Sequence, residues 1–123
     1  MRLKAERDAT QVVKPKIREY SRQVLVCTGP RCTQNGEGEA LFNALQAKFR
    51  AAGLGVDAGP ARVKRTRTGC VAACQGGPIV AVQPDGVWYY NVTDENIDRI
   101  IEEHLKNGRV VADLVFHQAG EGA

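Results

Sequence analysis

The stretch Gln23-Val24-Leu25-Val26-Cys27-Thr28-Gly29-Pro30-Arg31-Cys32 runs from a short apolar segment into a turn that carries two cysteines. Residues 23–27 have the length and apolar character of a buried strand. The Thr-Gly-Pro-Arg segment behind them is a turn signal, because glycine and proline interrupt regular structure. The sequence therefore predicts a strand whose end delivers a C-x4-C pair into a loop.

Two helices and three further strands are predicted downstream. Leu41, Leu45 and Phe49 recur every four residues and predict an amphipathic helix over residues 39–52. Thr93 is a good N-cap for a second helix, which Gly108 ends. Strands are predicted over residues 62–67, 79–82 and 87–90, the last two joined by a Pro-Asp-Gly turn. An apolar tail over residues 110–116 is expected to pack back on the domain.

This order, β-α-β-β-β-α, begins with a βαβ unit, whose two strands run parallel. An antiparallel hairpin and a covering helix complete it, so we predict an α/β protein with a thioredoxin-like sandwich and a mixed sheet. The domain spans residues 22–117, between a charged extension at 1–21 and a flexible tail at 118–123. In the extension, Val12, Val13 and Ile17 either pack against the domain or belong to a mobile segment.

The composition is that of one soluble domain, with 43% apolar and 25% charged residues in 123 positions. No run approaches the roughly 18 apolar residues of a membrane span. The N-terminus lacks the apolar core of a secretory signal, so a cytoplasmic location is expected. The formal charge of +3 is too small to indicate nucleic-acid binding.

Four cysteines lie in two close pairs, Cys27 with Cys32 and Cys70 with Cys74. In a reduced compartment such pairs indicate metal binding or redox chemistry rather than structural disulfides. A [2Fe-2S] cluster takes four thiolates, zinc sites favour C-x2-C knuckles, and a thiol-redox site needs C-x-x-C. That spacing, two residues between the cysteines, does not occur here. Glycines beside the cysteines would let the loops wrap a cluster closely.

Basic residues and two histidines are further candidates for neighbours of such a centre. Lys64, Arg65, Arg67 and Arg31 lie near the cysteines in sequence. They would offset the negative charge of a thiolate-bound cluster if they are also near in space, or form a docking patch for an acidic redox partner. The two histidines, His104 and His117, are expected at the surface rather than as ligands.

Residues 26–32, 68–74 and 77–89, together with the helix that follows Thr93, resemble the thioredoxin-like [2Fe-2S] ferredoxins. They are also similar to the cluster half of the small iron–sulfur subunit of NADH dehydrogenases. The resemblance implies that the cluster ligands are Cys27, Cys32, Cys70 and Cys74, and that the chain forms a homodimer.

By this resemblance the chain is a one-electron carrier that performs no bond chemistry itself. The helical half of the dehydrogenase subunit is missing, which favours a free carrier. The alternatives are an electron-relay subunit of a larger NAD-linked oxidoreductase and an Fe–S sensing or delivery protein.

Overall fold

The computed structural model describes residues 12–29, 33, 35–71 and 75–119. The strands are β1 (Arg22–Cys27), β2 (Val63–Thr68), β3 (Val80–Gln83), β4 (Val87–Tyr89) and β5 (Val115–Gln118). The helices are α1 (Glu37–Ala51) and α2 (Asp94–Ile100), and α2 continues through a π-helical turn over Ile101–Lys106. Short 3-10 turns span Gly59–Ala61 and Ala112–Leu114.

The five strands form one mixed sheet in the order β2-β1-β3-β4-β5. β1 and β2 run parallel, and every other pair is antiparallel. The predicted β-α-β-β-β-α order and the thioredoxin-like sandwich are thereby confirmed, with strand and helix bounds shifted by one or two residues.

The apolar tail predicted over residues 110–116 packs back on the domain, with Val111 and Leu114 buried, and its end also begins a fifth strand that was not predicted. β5 pairs with β4 and caps an edge that the hairpin alone would leave open. It ends at Gln118, inside the stretch predicted to be a flexible tail, and Ala119 N–H still donates to Gly86 O at 2.8 Å. Local sequence missed this strand because its four residues carry no strict alternation to mark it.

One face of the sheet carries the core. Val24, Val26, Val80 and Val82 are fully buried and face the two helices. Both helices lie on this face, and Lys48 of α1 bonds Asp98 of α2 at 2.8 Å. The opposite face carries Gln23, Leu25 and Trp88, which are only partly buried.

His104 lies in the core, so its predicted surface position is wrong. It is fully buried, with Nδ1 2.7 Å from Tyr89 Oη and Nε2 2.6 Å from Asp85 Oδ2. Arg22 Nε donates to the same Asp85 oxygen at 2.9 Å, and Val111 N–H donates to Tyr89 Oη at 3.1 Å. His104 continues the apolar stripe of α2 at helical spacing, and that spacing was the available signal. His117 is exposed, as predicted.

Candidate metal centre

Cys27 and Cys70 lie at the same end of the sheet. Cys27 is the last residue of β1 and is buried, and Cys70 follows the end of β2 by two residues and is exposed. The parallel register places Cys27 opposite Thr68, so the two strands end side by side. Cys32 and Cys74 lie outside the described residues. The structure thus brings one cysteine of each predicted pair to a common edge.

The two loops are joined backbone to backbone just beyond the strands. Thr28 N–H and its hydroxyl both donate to Thr68 O, at 2.8 and 2.7 Å. A Cβ built on Gly29 would stand 2.2 Å from Gly69 O. Only glycine permits this approach, which supports the prediction that glycines let the loops close tightly.

Thr33 closes the first loop behind the cysteines. Its side chain is 4% exposed, and both its N–H and its hydroxyl donate to Gly29 O, at 3.1 and 3.0 Å. Gly36 N–H then donates to Thr33 O at 3.1 Å, which ties the loop to the start of α1. A Cβ on Gly38 would meet Cys27 O at 2.2 Å, so the first turn of α1 lies directly against the end of β1.

The chain leaving the second loop is fixed in the same way. Cys27 N–H donates to Ile79 O at 3.1 Å, and Val92 N–H donates to Pro78 O at 3.0 Å. Asn91 N–H donates to Gly76 O at 2.7 Å, and Asn91 itself has a φ of 51°. Asparagine is among the few residues that adopt this left-handed backbone readily. Sequence reasoning missed Asn91 because it acts on a residue of another segment, and it missed Thr33 because its contact with Gly29 lies within one irregular loop.

The basic residues of β2 spread along the strand instead of gathering at the cysteines. Arg67 is the nearest of them to the strand end, and its guanidinium bonds Glu39 at 2.7 Å. Arg65 lies over the Phe42 ring at 4.1 Å, and Lys64 lies over the Tyr20 ring at 4.5 Å. Four residues of strand put Lys64 about 13 Å from Thr68. Lys64 is therefore not placed to offset charge at the cysteine end, and Arg31 lies outside the described residues.

The residues present fit an iron–sulfur cluster. Thiolates are the ligands that such clusters take, and two thiols enter here from loops that glycine lets approach closely. Within the described ranges no three His, Cys, Asp or Glu side chains form a group that could hold a metal ion. His104 is committed to Tyr89 and Asp85 at the other end of the strands. The class defined by fold and site is a small thioredoxin-fold protein that holds a cluster through cysteines.

Comparisons with known proteins agree with this class. The thioredoxin-like [2Fe-2S] ferredoxin family matches residues 15–105. A 2Fe-2S ferredoxin of Aquifex aeolicus is 37% identical over 98 residues, covering 77% of this chain and 88% of the relative. A putative 2Fe-2S ferredoxin of Priestia megaterium is 40% identical over 95 residues, covering 77% of this chain and 69% of the relative.

A solved structure of a thioredoxin-like [2Fe-2S] ferredoxin from Aquifex aeolicus superposes with a TM-score of 0.69 at 35% identity. The match covers 81% of this chain and 94% of that one. The chain belongs to the thioredoxin-like [2Fe-2S] ferredoxin family, which makes it an electron carrier built around a [2Fe-2S] cluster. No helix in the described part of the chain is long and apolar enough to cross a membrane.

Proposed function

We propose that the cluster is held by Cys27, Cys32, Cys70 and Cys74, in a free cytoplasmic carrier that passes single electrons between redox proteins. When bound, a [2Fe-2S] cluster supplies one reversible one-electron step. The observation that carries the ligand assignment is the backbone contact between Gly29 and Gly69, which joins the loops that contain one cysteine of each pair. A centre between those loops can draw thiolates from both.

The chain's own residues serve this function by fixing the loops. Thr28 and Thr33 bond the backbone on either side of the first loop, while Asn91 and Val92 hold the strand that leaves the second. Such fixed N–H and C=O groups hold metal ligands in place and set the polarity around them. No side chain needs to move for an electron to enter or leave.

The domain division supports a free carrier. We place the electron-transfer domain at residues 22–117, preceded by a charged extension at 1–21 and followed by a tail at 118–123. Residues 12–20 are all exposed and form no strand or helix, in keeping with an extension outside the folded domain. A relay subunit of a larger oxidoreductase stays the alternative, and it would purify with tightly held partners.

We also propose an acidic redox partner that docks along the β2 edge of the sheet. Lys64, Arg65 and Arg67 project from this edge strand, and the Arg67 side chain is half exposed near the cysteine end. Complementary charge speeds transient electron-transfer encounters, most strongly at low salt. The variant Lys64→Glu with Arg65→Glu should therefore slow reduction by such a partner, whereas Arg50→Glu with Lys106→Glu, the same charge change elsewhere, should not. Equal rates in both variants would rule out this surface.

A homodimer is proposed as the assembled form, because homodimers are common in the family that the chain resembles. The dimer is tested by the molecular mass of the cluster-loaded protein in solution, measured by light scattering. A mass of one chain at all concentrations contradicts it.

The ligand assignment is tested by metal content and spectrum after anaerobic purification. The wild-type protein should contain about two irons and two sulfides per chain and should bleach on reduction with dithionite. Cys70→Ser should lose or strongly shift the visible absorbance, and Thr66→Ser on β2 serves as a control outside the loops. A full iron complement with an unchanged spectrum in Cys70→Ser would remove Cys70 from the ligand set.

A further inference from the structure

The segment that precedes β1 presents apolar side chains to water. We define residues 12–20 as the N-terminal arm, in which every residue is exposed. Val13 is 86% and Ile17 69% exposed, and Lys14, Lys16 and Arg18 stand between and beside them. Large apolar side chains this exposed, interleaved with basic ones, favour an interaction surface over ordinary solvated chain.

The arm is not helical, which indicates the kind of surface it fits. Pro15 fixes its own φ and biases Lys14 toward extended backbone, and no residue of the arm is helical in the structure. Segments that lie flat on membranes are typically amphipathic helices, with apolar and basic residues on opposite faces. An extended strand with alternating apolar and basic side chains fits a protein groove instead.

A cleft of matching chemistry lies on the same molecule. It has a volume of about 470 Å³ and opens between the first turns of α1 and α2. Leu41, Pro78 and Val92 give it an apolar lining, and the carboxylates of Glu37 and Asp94 line it as well. The Asp94 side chain is 81% exposed, and its contact with Lys48 Nζ is a loose 3.5 Å. The cleft is therefore apolar and acidic where the arm is apolar and basic.

The arm leaves its own domain on the face of the sheet opposite to the cleft. Ser21 N–H donates to Arg62 O at 2.7 Å, which fixes the arm's root beside the start of β2. Tyr20 lies under Lys64, and Lys64 points away from the face on which Arg65 contacts Phe42 of α1. The root is thus on the helix-free face at the start of β1, whereas the cleft is on the helix face at the cysteine end.

We propose that the arm of one copy docks into the cleft of a second copy, and that the exchange is reciprocal. Val13 and Ile17 would cover the apolar lining, while the long side chains of Lys14 and Lys16, which leave the opposite face of the arm, would reach the two carboxylates at the rim of the cleft. An exchange of identical elements between two copies closes with two-fold symmetry and needs no further subunit. The inference rests on the homodimer proposed above and names the surfaces that form it.

The test measures the dimer dissociation constant of the full-length, cluster-loaded protein by sedimentation. Val13→Ser with Ile17→Ser should weaken the dimer at least about thirtyfold, since exposed arm residues cannot unfold the domain and apolar anchors dominate interfaces. Glu37→Lys with Asp94→Lys should weaken it as well, and Lys14→Glu with Lys16→Glu added to that variant should restore it. The control Asp57→Lys with Glu95→Lys makes the same charge change outside the cleft and should leave the dimer intact.

The outcomes separate the two proposals. A monomeric wild-type protein refutes the homodimer and with it the arm exchange. A wild-type dimer that the arm and cleft variants leave unchanged refutes the arm exchange alone. A monomer that sediments with phosphatidylserine vesicles, and loses this in Val13→Ser with Ile17→Ser, assigns the arm to a membrane instead. Iron content and the visible spectrum, measured on every variant, report separately on the electron carrier.

Discussion

Removing the hydroxyl of Tyr89 should destabilise the protein far more than removing that of its neighbour Tyr90. Tyr89 is fully buried, and its oxygen accepts a hydrogen bond from Val111 N–H at 3.1 Å. Because the oxygen is already accepting there, its proton can point at His104 Nδ1, 2.7 Å away. The other ring nitrogen, Nε2, then donates to Asp85. The variant Tyr89→Phe keeps the ring and deletes both hydrogen bonds.

The expected loss in the free energy of unfolding follows from the two groups left without partners. A buried donor or acceptor that loses its partner costs about 1–3 kcal/mol. Val111 N–H and His104 Nδ1 both become unpaired, so Tyr89→Phe should lose about 3 kcal/mol. For a domain of this size that corresponds to a fall in Tm of about 10 °C.

The assay is thermal unfolding of the cluster-loaded protein, followed by circular dichroism at one scan rate for all variants. Tyr90→Phe is the matched control, since Tyr90 is 40% exposed and water can replace its hydroxyl contacts. Its Tm should stay within about 2 °C of wild type, as surface substitutions usually change stability by less than about 0.5 kcal/mol. Equal shifts in the two variants would show that the hydrogen bonds around Tyr89 do not hold the fold.

Three further predictions concern charge, loop contact and the extension. Burial raises the pKa of Asp85, but hydrogen bonds from His104 and Arg22 outweigh it and leave the pKa below its ordinary value. Its contribution is therefore present above the unfolded pKa of about 3.9 and lost as pH falls through the lower folded value, so the Tm gap between wild type and Asp85→Asn should narrow toward pH 3. Gly29→Ala should lower the iron content, because its Cβ would stand 2.2 Å from Gly69 O, whereas Gly69→Ala meets nothing within 4 Å and should keep its iron; equal iron in both would contradict the tight loop contact. Deleting residues 1–20 should leave iron and spectrum unchanged, and an apo product would show that the extension is structural.

The elements that local pattern describes well were the ones that could be predicted. α1 has apolar residues at regular helical spacing, and the β3–β4 hairpin has a turn whose residues specify it. β5 escaped prediction because it is recognisable only as the partner of β4. The burial of His104 was not predicted, because a histidine on an apolar stripe is buried only where hydrogen-bond partners such as Tyr89 and Asp85 are present. Those partners come from turns and strands distant in sequence.

The cysteines could be predicted as a group, because two close pairs beside glycines are a strong chemical signal. The residues that hold the two loops in place could not be predicted. Thr33 bonds Gly29, Asn91 bonds Gly76, and Gly29 touches Gly69 across some forty residues of chain. The contact of Thr33 is local to an irregular loop, which has no repeating pattern to predict it, and the other two are visible only in the assembled sheet. The same sheet shows why the basic run of residues 62–67 spreads along β2 and does not gather at the cysteine end.

The ion pair of Arg22 with Asp85 and the loops around the cysteines occupy opposite ends of β1. Arg22 and Cys27 begin and end β1, which puts about 17 Å between the Arg22–Asp85 ion pair and Cys27. As a scaffold for protein engineering, the fold therefore keeps the contacts at the Arg22 end of β1 apart from the loops around the cysteines. Loop residues around the cysteines can be exchanged to adjust redox behaviour, while the contacts of Arg22, Asp85 and His104 continue to hold the sheet, the hairpin turn and α2 together.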